Sequence, residues 1–183
     1  MNGAHLQRIE LEDLGALRVT GADAVRFLQG QLSNDLGSPG AERSVLAGLH
    51  NPQGRTIALL RIVQLAPGDL LALLPRELAA PVASRLAKYV LRAKVKVADE
   101  SQSWRITGLL ATTVSAPLAA YPTLAGEQRH LGNTAVICVG EQPARWLLLA
   151  PAAGAEAGDS QAAAGTDESP QGVPACGSAA SPR

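Results

Sequence analysis

Residues 20–36, TGADAVRFLQGQLSNDL, carry the densest local information in the chain. Thr20 stands three residues before Asp23, the spacing of a capping box. The hydroxyl takes an orphan N–H of the first helical turn and the carboxylate reaches back. Asp23 also sets negative charge where a helix dipole is positive. Val25, Leu28 and Leu32 recur at spacings of three and four and so share one helical face. Gln29, Gln31, Ser33 and Asn34 fill much of the rest with uncharged hydrogen-bonding groups, where a solvated face would carry Lys and Glu. The run reads either as an amide-rich surface helix or as the wall of a polar pocket.

Working outward, Leu14–Val19 predicts a short strand that delivers the chain to this helix, and residues 1–8 read as loosely ordered. Gly37, Pro39 and Gly40 stop the helix. Ser44–Leu49 predicts a second strand. Asn51-Pro52-Gln53-Gly54 is a turn: Pro52 presets one dihedral and Gly54 tolerates a positive one. Thr56–Leu65 and Leu70–Leu74, joined by Pro67-Gly68-Asp69, predict a hairpin. Leu78, Val82, Leu86, Tyr89 and Val90 lie on one stripe of a helix from about Glu77 to Leu91, with Pro81 near its first turn. Val95 and Val97 alternate with Lys94 and Lys96, as in a strand with one wet face. Strand, strand, helix, strand is part of a ferredoxin-like layer, so the fold class is α+β. Further strands are expected at Trp104–Leu110, Thr134–Val139 and Trp146–Ala150, with loop or weak helix over Ala116–Gly126. Residues 1–150 form the folded unit. Residues 151–183 are Ala, Gly, Ser and Pro with few large apolar groups, a composition that predicts a disordered tail.

Composition narrows the function classes. Sixteen basic residues balance sixteen acidic ones in 183, which gives no global attraction to nucleic acid. No apolar run reaches the ~18 residues of a membrane span, and no hydrophobic signal core opens the chain. The two cysteines, Cys138 and Cys176, make no disulfide framework, so a cytoplasmic setting is expected. Cys138, inside VICVG, reads as a small core residue. His5, His50 and His130 stand singly, without metal-ligand spacing. Lys88, Arg92, Lys94 and Lys96 form a basic cluster that is either an anion site or a solvated face with cations at a helix C-terminus.

Three segments in order resemble the YgfZ family, folate-binding proteins similar to the T-protein (aminomethyltransferase) of the glycine cleavage system. They are the opening stretch, GLHNPQGR at residues 48–55, and KYVLRAKVKVAD at residues 88–99. The resemblance implies the N-terminal part of a T-protein-like folate-binding fold. It implies tetrahydrofolate as cofactor, support of iron–sulfur cluster assembly or repair, and a role in tRNA modification. Folate and iron–sulfur assembly proteins are the expected partners, with no membrane and no direct nucleic-acid contact. Gln29, Gln31, Asn34 and Asp35 are the candidate pocket contacts. Asn51 and Arg55 would flank the pocket, and Lys94 would attract an anionic tail.

Two departures qualify the likeness. The T-protein carries a catalytic aspartate on the strand after its Asn-x-x-Gly turn. That place falls here at Ala58 and Leu59, which argues against aminomethyl transfer and for a chain without catalysis of its own. The family's Lys-Gly-Cys-Tyr-x-Gly-Gln-Glu motif is absent. The chain is then either a frame-loss product or a genuine short relative. A non-binding remnant or interaction module, and an aminomethyltransferase, are the competing functions.

Overall fold

The computed structural model describes residues 6–37, 42–112 and 118–152. Residues 153–183 with Cys176, the terminal His5 and the Pro39-Gly40 helix stop lie outside these residues, whereas Pro151, placed in the expected disordered tail, ends a paired strand. So does the start of the loop expected at Ala116–Gly126.

The hairpin predicted from TIALLRIVQLAPGDLLALL decides the architecture. Strands β4 (Thr56–Ala66) and β5 (Asp69–Pro75) pair antiparallel across a turn in which Gly68 takes a φ of 73°. Leu70 to Leu74 are all buried, because β5 is covered on both faces. Leu70, Ala72 and Leu74 face one core, and Leu71 and Leu73 face another. The period-two geometry of a strand assigns alternate residues to opposite sides, so a strand in the middle of a layered structure must be apolar throughout.

Around this strand a five-stranded antiparallel sheet forms in the order β3-β4-β5-β2-β6, with β2 at Leu14–Thr20, β3 at Val45–His50 and β6 at Lys96–Asp99. Helices α1 (Ala24–Gln29) and α2 (Arg76–Ala87) cover one face. The strand after α2 pairs with β2 rather than β5. The chain order β2-α1-β4-β5-α2-β6 and the spatial order β4-β5-β2-β6 are those of a ferredoxin-like layer, extended at one edge by β3. A second antiparallel sheet, β1-β7-β10-β9-β8, packs through Ile106, Ala135, Ile137 and Leu149 against the other face. Its strands are β1 (Leu6–Glu10), β7 (Trp104–Ala111), β8 (Gln128–Leu131), β9 (Thr134–Glu141) and β10 (Ala144–Pro151). On its far side Trp146 is buried, donates to the Pro122 carbonyl at 2.7 Å and meets Tyr121 edge to face.

Four points differ from the reading of the sequence. The helix of the opening stretch is six residues long and has no side-chain cap. The capping box fails because the Asp23 carboxylate is engaged elsewhere: it accepts from the Lys94 backbone N–H at 2.7 Å. Gly21, at φ 130°, lets the two segments touch, since a Cβ there would collide with the Lys94 carbonyl. Second, residues 6–10 are a strand, held by pairing with β7 although every side chain is exposed. Third, β8 completes the edge of the second sheet through backbone pairing, with three exposed side chains that give no apolar alternation. Fourth, α2 ends at Ala87, where i→i+3 bonds from Lys88 and Tyr89 tighten the last turn. Tyr89 lies beyond the helix, about half exposed.

One arginine pairs with two acids at the start of the layer. Arg18 Nε and Nη2 donate to the two Asp69 oxygens at 3.0 and 2.9 Å, and Nη1 lies 3.5 Å from Glu100. The hydrogen bond that Arg18 donates to Asp69 raises the Arg18 pKa above its ordinary value.

Two measurements test this packing. Leu71→Ala removes a fully buried side chain from between the sheets and should cost about 2–5 kcal/mol in denaturant unfolding. Leu91→Ala, at a side chain 86% exposed, should stay within about 0.5 kcal/mol of the parent. Burial raises the pKa of the Cys138 thiol. In a Cys176→Ser background, Ellman's reagent should therefore find no reactive thiol in the native protein and one after unfolding.

Candidate functional site

The β3–β4 hairpin has two unlike faces. Val45, Ala47 and Leu49 on β3, with Ala58, Leu60 and Ile62 on β4, enter the core beneath the helices. The opposite face carries Leu46 and Gly48 on β3 and Leu59 and Arg61 on β4. The register sets Leu46 beside Arg61 and Gly48 beside Leu59. Further along β4 on the same side, Val63 is fully buried against the second sheet. Leu46 and Leu59 are 45% and 53% exposed, so an apolar floor emerges where the cover of the second sheet ends. At Gly48 this face is covered by the His50 ring and the Ser33 hydroxyl, and Gly48 is buried. A Cβ there would stand 2.6 Å from the His50 ring and 3.2 Å from Ser33 Oγ.

One rim of the floor is built by the polar end of the opening stretch. Ser33 N donates to the Gly48 carbonyl and Ser33 Oγ accepts from the Gly48 N–H, both at 3.0 Å. Asn34 Nδ2 donates to the Leu46 carbonyl at 3.0 Å. The other rim joins the sheets. Ser44 N donates to the Gly126 carbonyl at 2.8 Å, and Gln128 Nε2 donates to the Gln64 carbonyl at 2.8 Å.

The seven candidate residues fall in three places. Gln29 Oε1 accepts from Leu36 N at 2.7 Å and Asp35 Oδ1 from Gly37 N at 2.9 Å, so with Asn34 they brace the segment after α1. Asn51 Oδ1 accepts from Gln53 N and Arg55 N, at 3.0 and 2.8 Å, so Asn51 and Arg55 shape the turn at the end of the floor. Gln31 lines a separate cleft of about 380 Å³ between α1 and the segment after α2, together with Arg26, Phe27 and Arg92. Lys94 is exposed close by, its backbone tied to Asp23. Sequence reasoning did not single out Leu46, Gly48 or Arg61. The available signal was a charge at position 61 inside an apolar run.

Comparisons with known proteins bear on these surfaces. No protein-family model matches. The tRNA-modifying protein YgfZ of Yersinia pseudotuberculosis serotype O:1b is 28% identical over 152 residues, 81% of this chain and 46% of that protein. YgfZ of Yersinia pestis strain Pestoides F matches to the same extent. The chain is thus similar to YgfZ. It spans about half the length of the curated relatives it matches. An uncharacterized Haemophilus influenzae protein is 27% identical over 104 residues, 57% of this chain and 36% of that protein. Among solved structures, the glycine cleavage system aminomethyltransferase T of Bartonella henselae superposes with a TM-score of 0.69 at 18% identity, over 80% of this chain and 42% of that one. Heterotetrameric sarcosine oxidase of Corynebacterium sp. U-96 gives 0.51 at 16%, over 80% and 75%. The chain thus has the T-protein-like fold that the resemblance implies. Among the described residues no helix is long and apolar enough to cross a membrane.

The Ser33–Gly48 pair predicts a local effect. Ser33→Ala removes the acceptor of the Gly48 N–H, so amide exchange at Gly48 should accelerate at least tenfold while β5 amides stay protected; equal rates would show that Ser33 does not secure this edge.

Proposed function

We propose that this YgfZ-like chain contributes a tetrahydrofolate-binding surface to a protein acting in tRNA modification, with the iron–sulfur role that the family likeness implies. The supporting observation is the position of Leu59. Ala58 and Leu59 fall where the T-protein likeness puts a catalytic aspartate; Ala58 is buried in the core, and the Leu59 side chain emerges on the uncovered face of β4. A heteroaromatic ring suits the exposed Leu46 and Leu59, because burying the two leucines removes apolar area from water at about 25 cal/mol per Å². Asn51 and Arg55 lie at the open end of this floor, where an acidic tail would remain in water. Gln29, Asn34 and Asp35 hold the rim; Gln31 and Lys94 would act from the separate cleft.

Bound tetrahydrofolate supplies a carrier for one-carbon units. The chain's own residues orient and desolvate it. With Ala58 and Leu59 in place of the aspartate, the floor offers no carboxylate to move a proton, so aminomethyl transfer is not expected. A soluble, cytoplasmic setting belongs to this reading.

Calorimetric titration of the purified chain with tetrahydrofolate under anaerobic conditions tests it. Saturable binding is expected, and Leu59→Asp should weaken it at least tenfold, about 1.4 kcal/mol. Absence of binding by the parent would favour the alternative of a remnant that needs further polypeptide to complete its pocket.

A further inference from the structure

β4 carries a charge that its packing does not require. Residue 61 lies between Leu60, fully buried, and Ile62, 4% exposed. The Arg61 guanidinium has five N–H donors, and Nη1 donates to Ser44 Oγ at 3.1 Å. The Ser44 hydroxyl in turn donates to the Gly126 carbonyl at 3.2 Å, which leaves its oxygen free to accept from Arg61. Among the described residues no carboxylate is within ion-pair distance of Arg61, in contrast to Arg18 and its two acids. Burial lowers the Arg61 pKa from its ordinary value with no anionic neighbour to raise it. A partly desolvated cation with one hydrogen bond loses free energy that a further acceptor would restore. Bracing Ser44 accounts for one N–H and leaves the rest of the fork unused.

The fork's position indicates what it would meet. Arg61 is at the inner end of the floor, beside Leu46 and one step on that face from the fully buried Val63. The turn at Asn51–Arg55 is at the outer end. Positions 55 and 61 are separated by about 20 Å along an extended strand, the reach of an extended folate. A dianionic glutamate tail is costly to desolvate, so it belongs at the outer end, and the uncharged ring system belongs at the inner one.

We propose that Arg61 anchors the ring head of the ligand against the exposed Leu46 and Leu59 by donating to a ring carbonyl oxygen. This rests on the folate reading above. It adds a selection rule: the site distinguishes 4-oxo from 4-amino pteridines, because a guanidinium can donate to the oxo group and has no acceptor for an amino group.

The test titrates the parent, Arg61→Met and Arg61→Ala with tetrahydrofolate and with its 4-amino counterpart, tetrahydroaminopterin. The methionine variant keeps an apolar stem beside Leu46, and thermal melts confirm that each variant folds. The parent is expected to bind the 4-oxo ligand at least tenfold more tightly. Both variants should lose at least tenfold for the 4-oxo ligand and stay within about twofold for the 4-amino one, which abolishes the preference. Equal losses for both ligands, or none for either, would overturn the anchor while leaving the folate reading intact. A folded parent that binds neither ligand would overturn the folate reading and the anchor together.

Discussion

The two-sided burial of β5 is the constraint on which the rest of the molecule depends. One strand supplies alternate residues to two cores, so the helices on one side and the second sheet on the other are both positioned by the same five residues, Leu70 to Leu74. Tight packing on both faces leaves little freedom to shift register, because a slip by one residue would exchange the two cores' contributions. Ala72 among the leucines shows how volumes are matched to the helix side. The hairpin partner β4 inherits this fixed register and projects beyond the second sheet, and that overhang creates the exposed floor.

The sequence carried most of this layer in plain form. Alternating or continuous apolar runs located β2, β3, β4, β5, β7, β9 and β10 to within a few residues, and the Pro67-Gly68-Asp69 turn forced the central hairpin. Signals failed where tertiary bonds replaced local ones. Thr20 and Asp23 have the spacing of a capping box, yet the carboxylate satisfies a backbone amide more than seventy residues away in sequence. β1 and β8 are defined by their neighbours' backbone groups, and exposed side chains such as Gln7, Arg8 and Arg129 carry no periodicity to announce them.

The site was less legible for a related reason. Amides concentrated in one stretch suggest a pocket wall, but side-chain amides satisfy nearby backbone groups as readily as ligands. Gln29 and Asn34 do so here. Which face of a strand lies open depends on where another sheet ends, and that distance is not encoded within the strand itself. Leu59 and Leu60 are chemically identical neighbours, one 53% exposed and the other fully buried.

The bonds from Ser33 and Asn34 to β3, with the Leu32–Leu49 bridge, have a further consequence. A sheet margin with unoccupied backbone groups next to exposed leucines is an invitation to intermolecular strand addition. Here the chain lays its own irregular segment along that margin and occupies several of the groups that a foreign strand would need. The adjoining oily surface is thereby kept from templating fibrils.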